Sequence, residues 1–191
     1  MPVMKKLTLA TTGLSLLLFS TANLVPAQDK KGGATKATKS DRASPHEEVS
    51  WVIGGKKITI VYGRPYKKGR QIFGGLEPIG KVWRTGADEA TTFTTEADLM
   101  VGPLHVEAGS YSLFTIPGEK EWTLILNKTV SQWGAFTYDQ SKDYGRAPMK
   151  KEKARATGEQ HTIDTEKKGA SEGVLKISWD DTVASVPIMV H

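Results

Sequence analysis

Six cationic side chains are concentrated in one stretch of the sequence, between Gly63 and Ala90. They are Arg64, Lys67, Lys68, Arg70, Lys81 and Arg84, and the acidic residues of the same stretch are Glu77, Asp88 and Glu89. An arginine presents a flat fork of N–H donors that suits a carboxylate or a phosphate group. The stretch therefore predicts a surface that binds a glycan or an anionic small molecule, and its expected contacts are Arg64, Lys68, Arg70, Arg84, Asp88 and Glu89.

The same charges allow two other interpretations. In one, Arg70 or Arg84 forms an ion pair with Glu89 that only ties this segment to the rest of an envelope protein with a structural role. In the other, the protein is a hydrolase of envelope or extracellular substrates, with Glu89 or Asp88 as general base beside the stabilising arginines Arg70 and Arg84. Adjacent acids do not by themselves make a glycosidase, because its two carboxylates must flank the bond across a cleft. Binding, catalysis and a structural role all stay open.

Two tryptophans are candidates for stacking on a sugar or another flat ligand. Trp83 precedes Arg84, and Trp133 lies in a polar segment interrupted by Gly134. The apolar face of an indole ring suits the C–H groups of a sugar. The alternative for both rings is a structural one, in which each covers the loop or closes one end of the domain. The other tryptophans, Trp51, Trp122 and Trp179, lie in strand patterns and are assigned to the core.

The histidines show no spacing typical of a metal site. The chain has four, His46, His105, His161 and His191, and His46-Glu47-Glu48 lacks a second histidine. A site assembled from His105, His161 and distant acids stays open, but the sequence predicts neither a metal nor a cofactor. The signatures of a nucleophile elbow and of a phosphate-binding loop are absent from the sequence as well.

The elements that must position these side chains are predicted to be strands. Short runs rich in β-branched and aromatic residues alternate with turn signals, which include Gly54-Gly55, Gly102-Pro103, Pro117-Gly118 and Asp180-Asp181. After the N-terminal segment, a helical period is visible only as a single turn within Tyr138 to Tyr144. This pattern predicts an all-β antiparallel sandwich, with a barrel-like arrangement as the alternative and with little helix.

One connection in this pattern is unusually long. The segment between Tyr62 and Thr91 has no clean strand pattern, and loops longer than about 12 to 15 residues in a compact domain are usually functional or disordered. Its apolar residues favour burial over disorder, so we predict an ordered loop packed by its own side chains. Those expected anchors are Ile72, Phe73, Leu76, Ile79, Val82 and Trp83.

The N-terminus reads as a targeting segment. Residues 1–27 carry Lys5 and Lys6, an apolar run and a small-residue cleavage site, which predict a signal peptide and a periplasmic or extracellular protein. Residues 28–47 are predicted to be a flexible linker, and residues 48–191 a single β-sandwich domain. The apolar run is too short for a spanning helix, so we expect no membrane span after cleavage. Export also argues against nucleic-acid partners.

Composition agrees with an exported domain that folds without covalent cross-links. The chain has 191 residues, no cysteine, 38% hydrophobic residues and a formal net charge of +5. The absence of cysteine excludes disulfides, thiolate metal sites and cysteine nucleophiles. A chain of this length buries enough apolar surface to hold a core without them. The composition does not indicate an oligomeric state.

Several blocks of the chain resemble a bacterial family of exported proteins, domain-of-unknown-function family 2911. The resemblance rests on Arg64-Pro65, on Lys68-Gly69-Arg70, on Val82 to Ala87 with Glu89-Ala90-Thr91, on Ala108 to Pro117 and on Gln132-Trp133-Gly134. It covers about residues 49–188 and implies an exported β domain, without an activity that can be transferred. The chain departs from the pattern at Asp88, where the family is expected to carry asparagine. The substitution adds a carboxylate and puts an amide-type contact there in doubt.

Overall fold

The computed structural model describes residues 42–191, and nearly all regular structure in this range is antiparallel β-sheet. The predicted signal peptide and the part of the predicted linker up to residue 41 lie outside the described residues. The nine strands are β1 His46–Ile53, β2 Lys56–Gly63, β3 Thr91–Thr95, β4 Leu99–Val101, β5 Leu104–Val106, β6 Gly109–Ile116, β7 Glu121–Asn127, β8 Asp143–Lys167 and β9 Glu172–Val190. The prediction of an all-β fold is confirmed.

The strands form one sheet that is not closed, in the order β1-β2-β3-β6-β7-β8-β9-β4-β5. β8 and β9, with 25 and 19 residues, form a long hairpin inside this order, between β7 and β4. The first part of β8 pairs with β7, and the remainder pairs with β9. Because both strands change neighbours along their length, the sheet folds over a shared core in a sandwich-like arrangement.

The first hairpin shows how local sequence sets the register. Gly54 and Gly55 have φ angles of 59° and 75°, and Ile53 pairs with Lys56 across them. A two-residue turn with both φ angles positive matches the twist of the strands that it joins. The predicted turn is therefore confirmed, and it fixes where His46 lies opposite Gly63 at the far end of the hairpin.

Two details of the strand prediction are wrong. Asp180-Asp181 does not end a strand, because β9 runs through it and Asp180 has a φ of 54° within an irregular stretch of the β8–β9 pairing. β8 was not predicted, since its basic and small residues show little apolar alternation. The single helical turn is confirmed as a 3-10 turn over Gln140–Lys142.

The core is rich in aromatic side chains. Trp122, Trp179 and Phe93 are almost fully buried, and Leu113 and Ile177 fill positions between the strands. Burying side chains of this size is the main source of stability in a domain without disulfides. The assignment of Trp122 and Trp179 to the core is confirmed, while Trp51 is half-buried at its edge.

The long connection between β2 and β3 is ordered and packs onto the core. Ile72 is fully buried, Trp83 is 3% exposed, and Phe73 lies edge-on to Trp122. Leu76 and Ile79 do not anchor the loop, since 41% and 37% of their surfaces stay exposed. The loop is thus held by its middle and by its two ends, as the prediction of an ordered loop requires.

Gly63 is needed where this loop returns to the sheet. A β-carbon at this position would lie 2.3 Å from the carbonyl oxygen of Ala87, so only glycine permits the approach. The Ala87 N–H donates to the Gly63 carbonyl at 3.3 Å across the same contact. This contact brings the acidic end of the loop beside the beginning of β1. Within the described residues, no helix is long and apolar enough to cross a membrane.

Candidate functional site

Arg64 is bound to the fold at the beginning of the loop. Its Nε donates to the carbonyl oxygen of His161 at 2.9 Å, and one terminal nitrogen donates to Oγ1 of Thr162 at the same distance. The other terminal nitrogen lies 2.5 Å from a carboxylate oxygen of Glu47. Each nitrogen of this guanidinium therefore has a partner on β1 or β8, and Arg64 joins the loop to both strands.

Two of the next three cationic residues contact the protein through their side chains, and Lys68 does so through its backbone. Lys67 pairs with Asp180 at 2.5 Å, and the backbone N–H of Lys68 donates to the Glu159 carboxylate at 2.8 Å. Arg70 donates to the carbonyl oxygens of Tyr66 and Lys67, at 2.6 and 3.0 Å, and so closes its own turn. The side chains of Lys68 and Arg70 are exposed on the outside of this turn.

Trp83 and Arg84 both donate to the Gly86 carbonyl but differ in burial. Trp83 stacks on Trp179 with ring centroids 6.0 Å apart and donates from Nε1 to the Gly86 carbonyl at 3.2 Å. With 3% exposure it has no face for a ligand, so its assignment as a ligand contact is wrong. Arg84 donates from Nε to the same carbonyl, and a β-carbon at Gly134 would lie 3.2 Å from one of its terminal nitrogens.

The arginines of the loop have different contacts, although the charges of Arg70 and Arg84 both act on Glu77. Arg64 contacts β1 and β8, Arg70 contacts its own turn, and Arg84 lies beside Gly134. The predicted ion pair between Glu89 and either Arg70 or Arg84 is not formed among the described residues, because Glu89 pairs with Arg42 instead. The arginine-rich binding surface stays a prediction, and the contacts that these arginines make within the protein do not favour it.

The acidic end of the loop faces the residues that lead into β1. Both carboxylate oxygens of Glu89 accept from Nη1 of Arg42, at 2.7 and 2.9 Å. Nε2 of His46 lies 3.2 Å from Oε2 of Glu89 and 3.3 Å from Oδ2 of Asp88. Asp88 adopts a left-handed conformation with a φ of 64°, which aspartate and asparagine tolerate better than most residues. This gives a physical reason for either residue at that position.

The environment of Glu89 favours its charged form. Burial raises the pKa of its carboxyl, but the hydrogen bond from Arg42 and the charge of His46 outweigh this, and the pKa lies below its ordinary value. A carboxylate stabilised in this way is a weak general base. The electrostatics of Glu89 therefore do not support the hydrolase interpretation.

Trp133 is an exposed aromatic beside these acids. Its backbone forms an antiparallel bridge with Glu89, and the Gly134 N–H donates to the Asp88 carbonyl at 3.0 Å. Residues that face each other across an antiparallel pair project to the same face. Trp133 is 59% exposed and the nearby Phe136 is 84% exposed. The structure therefore brings together three of the predicted site residues, Asp88, Glu89 and Trp133.

A groove adjoins this cluster. It has a volume of about 290 Å³, and its lining includes His46 and Glu89 together with Val61, Tyr62, Thr92 and Ser131. Polar side chains line one part of it and the half-exposed Val61 lines another. We use the name acidic shelf for His46, Asp88, Glu89 and Trp133 beside this groove.

A larger groove along β8 and β9 is less suited to a specific ligand. Its volume is about 600 Å³, and its charged lining includes Glu152, Lys153, Arg155, Glu166 and Lys176. Several of these charges already pair with neighbouring residues, since Glu166 contacts Lys168 and Lys176, and Glu152 contacts Lys150. Exposed pairs of this kind solvate a long hairpin and contribute little to stability.

The remaining histidines and Glu77 lie apart from the acidic shelf. His161 is fully buried, with its ring edge-on to Trp83 at a centroid distance of 5.1 Å, and burial lowers its pKa to about 3, assisted by the Arg64 charge. His105 is exposed and lies 6.1 Å from the His191 ring. Burial raises the pKa of Glu77 to about 7, and the charges of Arg84 and Arg70 oppose that rise.

The sequence interpretation missed Arg42 and His46. Both were included in the predicted linker, but β1 begins at His46, so the linker prediction extends too far. The signal that would have included His46 is the strand pattern itself. A two-residue hairpin turn at Gly54-Gly55 with a partner strand that reaches Gly63 requires β1 to start near residue 46.

The comparisons with known proteins agree with the resemblance seen in the sequence. The family model described as "Protein of unknown function (DUF2911)" matches residues 44–188. The chain belongs to this family. Neither a search of curated proteins nor a search of solved structures gave a match. The family match begins two residues before His46 and so includes the whole acidic shelf.

Proposed function

We propose that this member of the family is an exported glycan-binding domain and that the acidic shelf is its binding surface. The observation that supports this proposal is the exposed ring of Trp133 on the same face as Glu89. Stacking of a sugar on an indole and acceptance of its hydroxyl hydrogens by carboxylates are complementary contacts. The adjoining groove of about 290 Å³ has room for a sugar ring.

The part of the loop that carries Arg64 and Trp83 has a different role in this proposal. It braces the sheet, because its polar groups contact β1 and β8 and its aromatic ring packs in the core. Binding of an anionic ligand through these arginines is the weaker candidate, since Arg64 and Arg70 donate to groups of the protein itself. We therefore favour a neutral or cationic glycan over an acidic one at this carboxylate-lined surface.

A binding experiment with tryptophan variants tests the proposal. The full chain is titrated with a panel of soluble chito-, cello- and xylo-oligosaccharides, with calorimetry as the readout. Trp133→Ala should weaken the best binder about fivefold, because an aromatic contact is worth about 1 kcal/mol. Tyr66→Ala is the matched control, since Tyr66 is also exposed but lies at the other end of the loop. Equal losses in both variants, or an unchanged affinity in Trp133→Ala, would reject the proposed surface.

We propose export on the basis of the N-terminal sequence. Lys5, Lys6 and the apolar run that follows them have the order of a signal peptide, with small residues before Gln28. Expression of the full chain in a bacterium should release a protein that begins at Gln28 into the periplasm or medium. N-terminal sequencing checks this outcome, and an intact chain that stays in the cytoplasm would contradict it.

A further inference from the structure

We propose that His46, Asp88 and Glu89 bind one divalent first-row transition-metal ion. Among the described residues, these three side chains offer ligand atoms that all lie within 4.8 Å of one another. The atoms are Nε2 of His46, Oδ2 of Asp88 and Oε2 of Glu89. They come from two segments of the chain, the beginning of β1 and the end of the loop, which the Gly63–Ala87 contact holds together.

The distances between these atoms are those of a coordination shell. Nitrogen and oxygen ligands lie about 2.0 to 2.2 Å from a bound zinc ion. Two ligands at this distance that subtend an angle between a right angle and the tetrahedral angle are separated by about 2.9 to 3.5 Å. The observed separations from His46 Nε2, 3.3 Å to Asp88 and 3.2 Å to Glu89, fall in this range. These separations are compatible with a small ion between the three side chains once the Arg42 contact is displaced.

A cation already lies against His46 in the structure. Nη1 of Arg42 is 3.1 Å from Nε2 of His46, and it donates to both carboxylate oxygens of Glu89. Nε2 in turn faces carboxylate oxygens of Asp88 and Glu89. His46 and Glu89 therefore both face a guanidinium nitrogen, and a metal ion in its place would accept lone pairs from these two side chains and from Asp88.

The ligand set favours a transition metal over calcium or magnesium. Imidazole suits zinc, copper, nickel and iron, whereas calcium and magnesium prefer shells made of oxygen. Three protein ligands also leave at least one coordination position for water or for another ligand. The side chains of His46, Asp88 and Glu89 are 24%, 31% and 38% exposed, so an ion has access from solvent.

Arg42 is the competing cation in this arrangement. Its guanidinium makes two contacts with Glu89 and reaches His46 Nε2, the same atoms that a metal ion would use. Metal binding must therefore displace the Arg42 contact to Glu89. Replacing Arg42 removes a positive charge from the cluster, so it should increase the affinity for the ion, whereas replacing a ligand should decrease it. A general loss of structure would lower the metal affinity of all these variants, so a gain in the Arg42 variant beside losses in the ligand variants indicates a metal site.

This inference deepens the proposed function, because an ion on the acidic shelf would present its open position at the glycan surface. It nevertheless has its own readout, since metal binding is measured without any sugar. Trp133→Ala should lose glycan affinity and keep metal affinity. Metal binding that fails while glycan binding persists would overturn only the present inference, and the reverse result would overturn only the glycan proposal.

The experiment titrates Zn²⁺ into the chelator-treated, untagged full chain, with Ca²⁺ as the comparison ion and calorimetry as the readout. We expect one Zn²⁺ per chain and weaker binding of Ca²⁺. His46→Ala, Asp88→Asn and Glu89→Gln should each weaken Zn²⁺ at least tenfold, and Arg42→Ala should bind it more tightly. Asparagine tolerates the left-handed conformation of Asp88, so Asp88→Asn should fold normally, and circular dichroism checks every variant.

His105→Ala is the matched control, because His105 is exposed and lies beside His191, away from the acidic shelf. Its Zn²⁺ affinity should equal that of the wild type. Three results would overturn the proposal: no Zn²⁺ binding by the wild type, tighter binding of Ca²⁺ than of Zn²⁺, or a loss in His105→Ala as large as the loss in His46→Ala. Unchanged binding in folded Asp88→Asn and Glu89→Gln would overturn it as well.

Discussion

At the beginning of the long loop, Arg64 donates to β8 and pairs with Glu47 on β1, and its side chain is 23% exposed. At the end of the same loop, Glu89 pairs with Arg42 in a contact whose side chains are 38% and 48% exposed. Both are ion pairs of an ordered segment with residues at or before β1. They differ in what else surrounds them, because Arg64 has backbone and hydroxyl partners and the acidic end has an open groove.

This difference separates structural charges from available ones. The donors of Arg64 face a backbone carbonyl, a hydroxyl and a carboxylate of two strands, so this contact contributes to the fold. The Glu89 pair is exposed, and exposed pairs contribute little to stability. Displacement of Arg42 from Glu89 by a ligand should therefore lower the free energy of unfolding only a little. The charge density of a loop does not by itself locate its binding surface.

The largest contrast should come from Arg64→Ala. This change leaves Glu47 half-buried without its partner and removes two hydrogen bonds to β8, so we expect a loss of about 3 kcal/mol in the free energy of unfolding. Denaturant unfolding measures it. Arg70→Ala is the matched control, because Arg70 is exposed and donates only to carbonyls of its own turn. It should cost less than about 1 kcal/mol. Similar losses in the two variants would remove the distinction between bracing and surface arginines.

The second contrast uses pH at the buried side of the loop. His161 has a pKa of about 3 in the folded chain because it is buried, and an ordinary value of 6.5 when unfolded. Between these values the unfolded chain binds the proton and the folded chain does not. The contribution of His161 to the stability therefore falls as the pH falls below 6.5, by up to about 1.4 kcal/mol per pH unit. From pH 6.5 to 5 this contribution alone should fall by about 2 kcal/mol.

His161→Leu is the variant that isolates this contribution. Leucine keeps the site apolar and cannot titrate, so the free energy of unfolding of the variant should fall less between pH 6.5 and 5 than that of the wild type. Chemical denaturation at several pH values measures both slopes. His105→Leu is the control, since His105 is exposed on the surface of β5 and its replacement should leave the slope unchanged. If the free energy of unfolding depends on pH equally in the wild type and in His161→Leu, the lowered pKa of His161 is contradicted.

The fold class followed from local patterns. The two errors in the strand prediction, at Asp180-Asp181 and along β8, both concern the pairing of the long hairpin. Gly54-Gly55 and the alternating strands β6 and β7 each carry their structure in a few neighbouring residues, and these were predicted. β8 is polar along most of its length because one face of the long hairpin is solvated. It is a strand because β7, β9 and the loop supply its partners. Nonlocal pairing of this kind leaves a weak trace in the sequence.

The candidate site was predicted in part for a similar reason. Asp88, Glu89 and Trp133 were identified from their types, and the structure brings them together through the Glu89–Trp133 bridge. The choice among the arginines failed, because it depends on which carbonyls of β8 and of the loop reach each guanidinium. Arg42 was missed since nothing in the residues around it marks them as anything but linker. The roles of the loop arginines and of Arg42 both depend on contacts between segments that are distant in the sequence.

The smallest expected effect concerns Glu77, where the pH dependence has the opposite sign. Burial raises the pKa of this carboxyl to about 7 despite the charges of Arg84 and Arg70, whereas the ordinary value is 4.5. Between these values the folded chain binds the proton more readily, so Glu77 makes the chain more stable as the pH falls from 7 to 4.5 and less stable above 7. This contribution partly cancels that of His161 in the shared range.

Glu77→Gln removes the cost of a charged carboxylate at this half-buried position. The variant should be more stable than the wild type at pH 8, by about 1 kcal/mol or less because solvent screens the group, and the difference should vanish near pH 4.5. Thermal unfolding at the two pH values measures it. Glu119→Gln is the control, since Glu119 is exposed, and it should change neither value. A gain that is equal at both pH values would mean that the effect is one of packing, and the assignment of a raised pKa to Glu77 would be wrong.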